Sequence, residues 1–205
     1  HTDEELAQAR QLRDALVAAL ASNAPIPELH LSVVASYFPL HSLPGAEQLA
    51  ARTWSEAMTA VVVQQVSEPM QERQLRAAIP TLTEIENDVS RLVQQQYEEN
   101  PYPRWAMSEP PGPLLPFDQY LRRRLPAAVF RSLEKPAVDL SRTSLAYAER
   151  KTRELGRRNI AYGQADILKL GTLGRTFDVI ESSGVLHHLA EPFAGWRVLV
   201  SLLRP

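Results

Sequence analysis

The sequence contains no cysteine, which excludes disulfides, thiolate metal sites and cysteine nucleophiles. It has no basic excess, because 22 Lys and Arg stand against 24 Asp and Glu, so a nucleic-acid partner is not expected. No apolar run approaches the roughly 20 residues needed to cross a bilayer, and the acidic start HTDEELAQAR is unlike a signal peptide. These features predict a cytoplasmic protein without a membrane partner.

Glycine is also scarce, with 8 residues in 205, and none lies between Gly112 and Gly156. Within that stretch, the segment KPAVDLSRTS at 135–144 ends a strand-like run on Asp139 and supplies Ser141 as a helix cap. An acid at such a place often holds a ribose, about 20 residues after a glycine-rich turn that receives the rest of a nucleotide. Here the acid is present and the turn is missing.

Residues 1–99 show helical periodicity and no clear alternating strand, which predicts an all-helical N-terminal domain able to bind a protein partner. Three Thr-x-x-Glu pairs predict capping boxes at helix starts, namely Thr2 with Glu5, Thr53 with Glu56, and Thr83 with Glu86. Residues 100–132 hold a connector, with six prolines between 100 and 116, and a short helix FDQYLRRRL.

From residue 137, strand-like and helix-like segments alternate, which predicts a parallel α/β sheet. Strands are predicted at AVD, NIAYGQADI and RTFDVIESS, with 160–164 and 177–181 as neighbours in the sheet. Helices are predicted at SRTSLAYAERKTREL, which Gly156 should end, and at PFAGWRVLVSLL.

Three segments in this order, VDLS at 138–141, ADIL at 165–168 and FDVIESSGVLHHL at 177–189, resemble the class I S-adenosylmethionine-dependent methyltransferases. The segment QYEENPYPRW at 96–105 is similar to the part preceding the catalytic domain in some bacterial methyltransferases, including ones joined to tetratricopeptide repeats. The resemblance implies an incomplete Rossmann-like parallel sheet over residues 133–205. It also implies methyl transfer from S-adenosylmethionine to an unidentified acceptor, a protein or a small molecule.

The resemblance assigns roles to residues that follow the first two strands. Asp139 would accept hydrogen bonds from both ribose hydroxyls, since a carboxylate offers two oxygens to two donors, and Leu140 would pack on the adenine. Asp166 would accept a bond from the adenine amino group, with the Ile167 amide facing a ring nitrogen.

The third segment carries weaker candidates. The resemblance places Glu181 and Ser182 near the methionine part of the cofactor. His187 and His188 are adjacent, and one of them is a candidate general base toward the acceptor, because an imidazole ring can take up the proton that leaves a nucleophile. We expect no metal site, since no cysteine or further close histidine completes a ligand set.

The segment before the α/β half supplies candidate substrate or lid residues, Tyr97, Tyr102, Arg104 and Trp105. Their aromatic rings combine apolar faces with polar tips, which suits a dry, oriented site. Arg104 is expected to pair with the carboxylate of the cofactor's methionine part. Plain packing between domains is the alternative for this segment.

The missing glycine-rich turn leaves two alternatives open. In the first, residues are missing from this sequence between 136 and 137 and after 205, and a βαβ unit sets the internal gap at about 30 residues. In the second, the turn is deleted, and the domain is a catalytically inactive scaffold beside a helical protein-interaction module. Intact mass distinguishes them, because 23.0 kDa belongs to the sequence as it stands.

Overall fold

The computed structural model describes residues 2–99, 101 and 135–204. The chain divides into two compact units, His1–Gln74 and Leu75–Pro205. The predicted boundaries were at residues 99 and 132, whereas helix 88–99 lies in the second unit, where it packs against helix 142–154. The predicted connector and short helix, at 100–132, lie outside the described residues except for Pro101.

The first unit is helical, as the sequence predicts. Its elements are α1 (Asp3–Ala21), α2 (Glu28–Tyr37), 3₁₀ helices Leu40–Ser42 and Ala46–Ala51, α3 (Glu56–Val62), a π-helical turn Val63–Ser67 and most of α4 (Glu68–Ala78). Its core consists of aliphatic side chains that are fully buried, among them Leu16, Leu20, Leu31, Val34, Leu40, Leu49 and Val66. Burial of these side chains is the main force that holds the helices together.

One of the three predicted capping boxes forms as expected. The Glu5 amide donates to the Thr2 hydroxyl, and the Thr2 amide donates to the Glu5 carboxylate, each at 3.2 Å. Helix α3 is capped instead by Ser55, whose hydroxyl accepts from the Met58 amide at 3.3 Å. The prediction at Thr53 is wrong because Ser55 stands immediately before the first turn.

The third predicted box, at Thr83 and Glu86, is also wrong. Helix α5 (Asp88–Glu99) begins after Asn87, whose side-chain oxygen accepts from the amides of Val89 and Ser90 at 3.0 and 3.2 Å. Asparagine is as good an N-cap as threonine, and this one lies next to the helix. The Thr83 hydroxyl instead accepts a hydrogen bond from the Asp166 amide.

The second unit continues with a strand–helix–strand arrangement made of β1 (Lys135–Asp139), α6 (Arg142–Glu154) and β2 (Ile160–Gln164). The two strands are parallel, and Asp139 is paired in register with Gln164. Ser141 caps α6, and Gly156 follows its end at a φ of 71°, as predicted. This two-stranded sheet confirms the expected fold class, an incomplete Rossmann-like sheet preceded by a helical region.

The predicted third strand does not form. Residue Phe177 makes an isolated parallel bridge to Leu203, and residues 178–181 have no strand pairing. The edge of β2 pairs instead with residues 80–82, because the Leu82 amide donates to the Gln164 carbonyl at 2.8 Å and the Gln164 amide to the Pro80 carbonyl at 2.9 Å. The prediction that 160–164 and 177–181 are neighbours is therefore wrong.

Two apolar clusters hold the second unit around this sheet. After β2 the chain forms 3₁₀ helices Ile167–Leu173 and Leu186–His188, then α7 (Pro192–Ser201). The first cluster joins these elements through the buried side chains of Ala165, Leu170, Leu199 and Leu202. The second consists of Ile79, Leu145 and Ala146, and it fastens the end of α4 to α6.

Candidate functional site

The two predicted cofactor acids lie at the same edge of the sheet. Asp139 ends β1 and pairs with Gln164 at the end of β2, and Asp166 follows two residues later. The Ala165 amide donates to the Asp139 carbonyl at 3.0 Å, which ties the loop after β2 to β1. Ligands of open parallel sheets bind beyond the carboxyl ends of the strands, so this edge is the candidate site.

The Asp139 carboxylate is half-buried and accepts the Ser141 amide at 2.8 Å. Burial raises its pKa, and the negative charge of Glu98 raises it further, against the lowering effect of the Ser141 and Leu140 amides. Among residues 2–99, 101 and 135–204, no Lys or Arg forms an ion pair with this carboxylate. Its remaining acceptor capacity is therefore suited to neutral donors such as hydroxyls.

The first turn of α6 is held by the last turn of α5. The fully buried Ser141 hydroxyl accepts the Ser144 amide and donates to the Tyr97 carbonyl, both at 3.1 Å. Glu98 accepts the Arg142 amide at 2.6 Å and the Thr143 hydroxyl. The residues immediately after Asp139 are thus fixed from outside their own helix.

Asp166 is buried, with 2% of its surface exposed. Its Oδ1 accepts the Leu168 amide at 2.9 Å, which caps the following 3₁₀ helix, while its own amide donates to the Thr83 hydroxyl at 2.8 Å. Ile167 packs against the cluster that α7 completes. Sequence analysis predicted only a helix-capping role for Thr83, and no local pattern marks it as a partner of Asp166.

Gln164 is a further residue that sequence analysis missed. Its side-chain amide donates to the Leu140 carbonyl at 2.8 Å, and its side-chain oxygen accepts the Thr81 hydroxyl at 3.0 Å. Beside it, a Cβ on Gly163 would lie 2.3 Å from Leu82 Cδ1, so any side chain there would displace Leu82. The Gln164 side chain thus ties the residue after β1 and Thr81 to the end of β2.

Two candidates that the sequence placed in separate roles meet in the structure. The Tyr97 hydroxyl lies 3.2 Å from His188 Nε2, and the two rings are edge to face with centroids 5.8 Å apart. The His187 ring lies against His188, with centroids 4.0 Å apart. Tyr97 and His188 therefore form a phenol–imidazole pair in the same unit as Asp139.

The structure does not join every candidate to this site. Glu181 and Ser182 are exposed, and within the described ranges neither makes a hydrogen bond with Asp139 or Asp166. The other lid candidates lie outside the described residues, namely Tyr102, Arg104 and Trp105. Their roles stay predictions.

Two further features are absent from the part of the chain that the structure describes. No group of three or more His, Asp or Glu side chains is placed there to hold a metal ion. In the same ranges, no helix combines the length and apolar character required to cross a bilayer.

A family model described as a methyltransferase domain matches residues 120–205. No solved structure matches the chain. The matched span includes β1, α6, β2 and α7 and therefore the Asp139 and Asp166 edge of the sheet, whereas Tyr97 and Glu98 precede it. Residues 120–205 are thus similar to a methyltransferase domain.

Proposed function

We propose that this chain binds S-adenosylmethionine at the carboxyl edge of β1 and β2 and transfers its methyl group to an acceptor nucleophile. The observation that carries the proposal is the position of Asp139 inside the matched methyltransferase span. It ends β1 beside the end of a parallel strand, where an open α/β sheet receives its ligand.

The ribose end of the site fits the cofactor. Asp139 has one oxygen on the Ser141 amide and no cation partner among the described residues, so it retains capacity for two hydroxyl donors. A partly desolvated carboxylate forms strong hydrogen bonds to such donors. The chain has no glycine from 113 to 155. The residues present therefore support binding of the ribose and adenine parts of the cofactor, and no glycine-rich turn contributes to the proposal.

We assign the adenine end to Leu140, Asp166 and Ile167. Leu140 follows β1 directly and is half-buried, while Asp166 and Ile167 occupy the corresponding place after β2. The hydrogen bond from Gln164 to the Leu140 carbonyl holds these two loops at one edge. Glu181 and Ser182 are assigned to the methionine end on the family resemblance.

The chain's main task in this reaction is placement. When bound, S-adenosylmethionine supplies a methyl group that its positive sulfonium has already activated, so the residues must align donor and acceptor and exclude water. We assign the acceptor side to Tyr97 and His188, because the imidazole can receive the proton that leaves the acceptor nucleophile. Tyr102, Arg104 and Trp105 are assigned to a lid over the same edge.

Titration calorimetry of the full chain with S-adenosylhomocysteine tests the proposal. We expect the wild type to bind and Asp139→Asn to lose at least about tenfold in affinity, since it loses charged hydrogen bonds worth about 1.5–3 kcal/mol each. The matched control is Asp88→Asn, an exposed acid on α5, which should bind like the wild type. No binding at millimolar ligand, or equal binding by Asp139→Asn, contradicts the proposal.

A second candidate function is a catalytically inactive scaffold whose helical unit binds a protein. The absence of glycine between Gly112 and Gly156 favours it, because no glycine-rich turn is then present to receive the cofactor. An intact mass of 23.0 kDa together with a folded protein that does not bind S-adenosylhomocysteine would contradict the first candidate and favour this one. In either case we propose a cytoplasmic location, with which the lack of cysteine is consistent.

A further inference from the structure

We propose that Glu98, on α5 and outside the matched span 120–205, is a positioning residue that orients the Asp139 carboxylate and sets the pH range of cofactor binding. The inference rests on the proposed function, in which Asp139 holds the ribose. Under this proposal, the end of α5 contributes to cofactor binding although it precedes the matched methyltransferase span.

The Glu98 carboxylate is fixed by donors from two elements. It accepts the Arg142 amide at 2.6 Å and the Thr143 hydroxyl, and it pairs with Arg76 at 2.8 Å. Its side chain is only 16% exposed. The amides in the first turn of a helix have no partner within that helix, and a carboxylate stabilises them through both hydrogen bonds and the helix dipole.

Ser141 connects the last turn of α5 to the Asp139 carboxylate. Ser141 donates its amide to the Asp139 carboxylate at 2.8 Å and its hydroxyl to the carbonyl of Tyr97, the neighbour of Glu98. Two consecutive residues of α5 thus hold the N-cap of α6 and the first two residues of that helix. A shift of Glu98 displaces the Ser141 amide and with it the orientation of the Asp139 carboxylate.

Glu98 also acts through its charge. Several charged or titratable groups surround this end of the sheet, namely Arg76 on α4, Tyr97 and Glu98 on α5, Arg142 on α6, Asp166 after β2, and His188. After burial, the negative charge of Glu98 is the next cause that raises the pKa of Asp139. Protonation of Asp139 removes the negative charge that strengthens its hydrogen bonds to the ribose hydroxyls, so binding weakens as the pH falls through that raised pKa. Removal of the charge on Glu98 moves the loss of binding to lower pH.

The test uses Glu98→Gln and Glu98→Ala in the full chain, with S-adenosylhomocysteine as the probe in calorimetry across the acid range. Glu98→Gln retains an acceptor for the Arg142 amide and removes the charge. Its affinity for the probe at neutral pH should stay within about threefold of the wild-type affinity, and the loss of binding on acidification should occur at lower pH. Glu98→Ala leaves the Arg142 amide and Thr143 hydroxyl without this partner, and we expect about a tenfold loss at neutral pH. The control is Glu99→Gln, an exposed neighbour bonded to Gln95, which should leave affinity and pH profile unchanged.

The proposal is wrong if Glu98→Gln loses affinity at the same acidic pH as the wild type. It is also wrong if Glu98→Ala binds the probe with wild-type affinity. If both variants lose the same affinity at every pH and melt earlier, Glu98 is only structural and the proposal also fails. If the wild type does not bind the probe, the proposed function fails instead. Carbon-13 NMR titration of the Asp139 carboxyl then tests the role of Glu98. The inference requires that the pKa of Asp139 is lower in Glu98→Gln than in the wild type.

Discussion

Tyr97 and His188, 91 residues apart in the chain, meet through a hydrogen bond of 3.2 Å between the phenol hydroxyl and imidazole Nε2. The carbonyl of Tyr97 also accepts the hydroxyl of Ser141, the residue that fixes the Asp139 carboxylate. One residue of α5 therefore contacts both the proposed acceptor side and the proposed cofactor side.

We expect Tyr97 and His188 to be energetically coupled. In a double-mutant cycle with Tyr97→Phe and His188→Gln, the coupling should be about 0.5–1.5 kcal/mol, the net value of one hydrogen bond. Urea unfolding of the two single variants and the double variant measures it. His187→Gln is the control partner, because His187 contacts the His188 ring and makes no described hydrogen bond to Tyr97. A coupling near zero would contradict this prediction.

Gly163→Ala should destabilise the second unit by about 1–3 kcal/mol, as expected for overpacking. The new Cβ would lie 2.3 Å from Leu82 Cδ1, and the strand pairing with residues 80–82 prevents easy separation. Gly171→Ala is the control, since nothing lies within 4 Å of its Cβ position. Addition of Leu82→Ala should recover much of the loss in denaturant unfolding, and a double variant no more stable than Gly163→Ala would contradict this account.

Asp139→Asn should raise the melting temperature at pH 7 and leave it almost unchanged at pH 3. The folded-state pKa of Asp139 is raised, so ionisation is harder in the folded than in the unfolded chain. The resulting loss of stability is absent below the ordinary aspartate pKa of about 3.9 and complete above the raised value. Asparagine is neutral throughout and still accepts the Ser141 amide.

Melting curves of wild type and variant at both pH values check this prediction. Asp88→Asn, which removes an exposed charge from the first turn of α5, should bring no gain at pH 7. A drop in melting temperature for Asp139→Asn at pH 7 would contradict the assigned sign. The expected gain comes with lost cofactor binding, which is typical of functional residues.

The first unit offers a matched pair of leucines on α2. Leu31 has no exposed surface and Leu29 is 77% exposed. Leu31→Ala should lower the free energy of unfolding by about 2–5 kcal/mol, because it leaves a cavity in the core. Leu29→Ala should change it by about 0.5 kcal/mol or less. Urea titration followed by circular dichroism measures both, and equal losses would place the core elsewhere.

The parts of the fold that are determined by residues close together in the sequence could be predicted. Ser141 and Gly156 bound α6 as expected, and the alternation of strands and helices indicated the parallel pair β1 and β2. The segment 177–181 was not predictable in this way, because its apolar residues suit a strand or a packed loop equally well. Ile180 packs against the buried cluster around Leu170 without pairing in the sheet.

The sequence indicated the positions of two candidate residues, because the structure places Asp139 at the end of β1 and Asp166 just after β2. Their role in cofactor binding stays a prediction. Thr83, Glu98 and Gln164 were missed because each acts on a residue distant in sequence, through a hydroxyl, a carboxylate and an amide that are common in loops and helices. No local pattern distinguishes such residues from ordinary surface groups.

The bonds that build the candidate site span long stretches of chain, 83 residues from Thr81 to Gln164 and from Thr83 to Asp166. The first unit, by contrast, closes its core within its own 1–74 span. Contacts between distant residues slow folding, because a large loop must close before any bond repays its entropy. We therefore expect two refolding phases, and the edge of the sheet that carries Asp139 and Asp166 forms in the slower one.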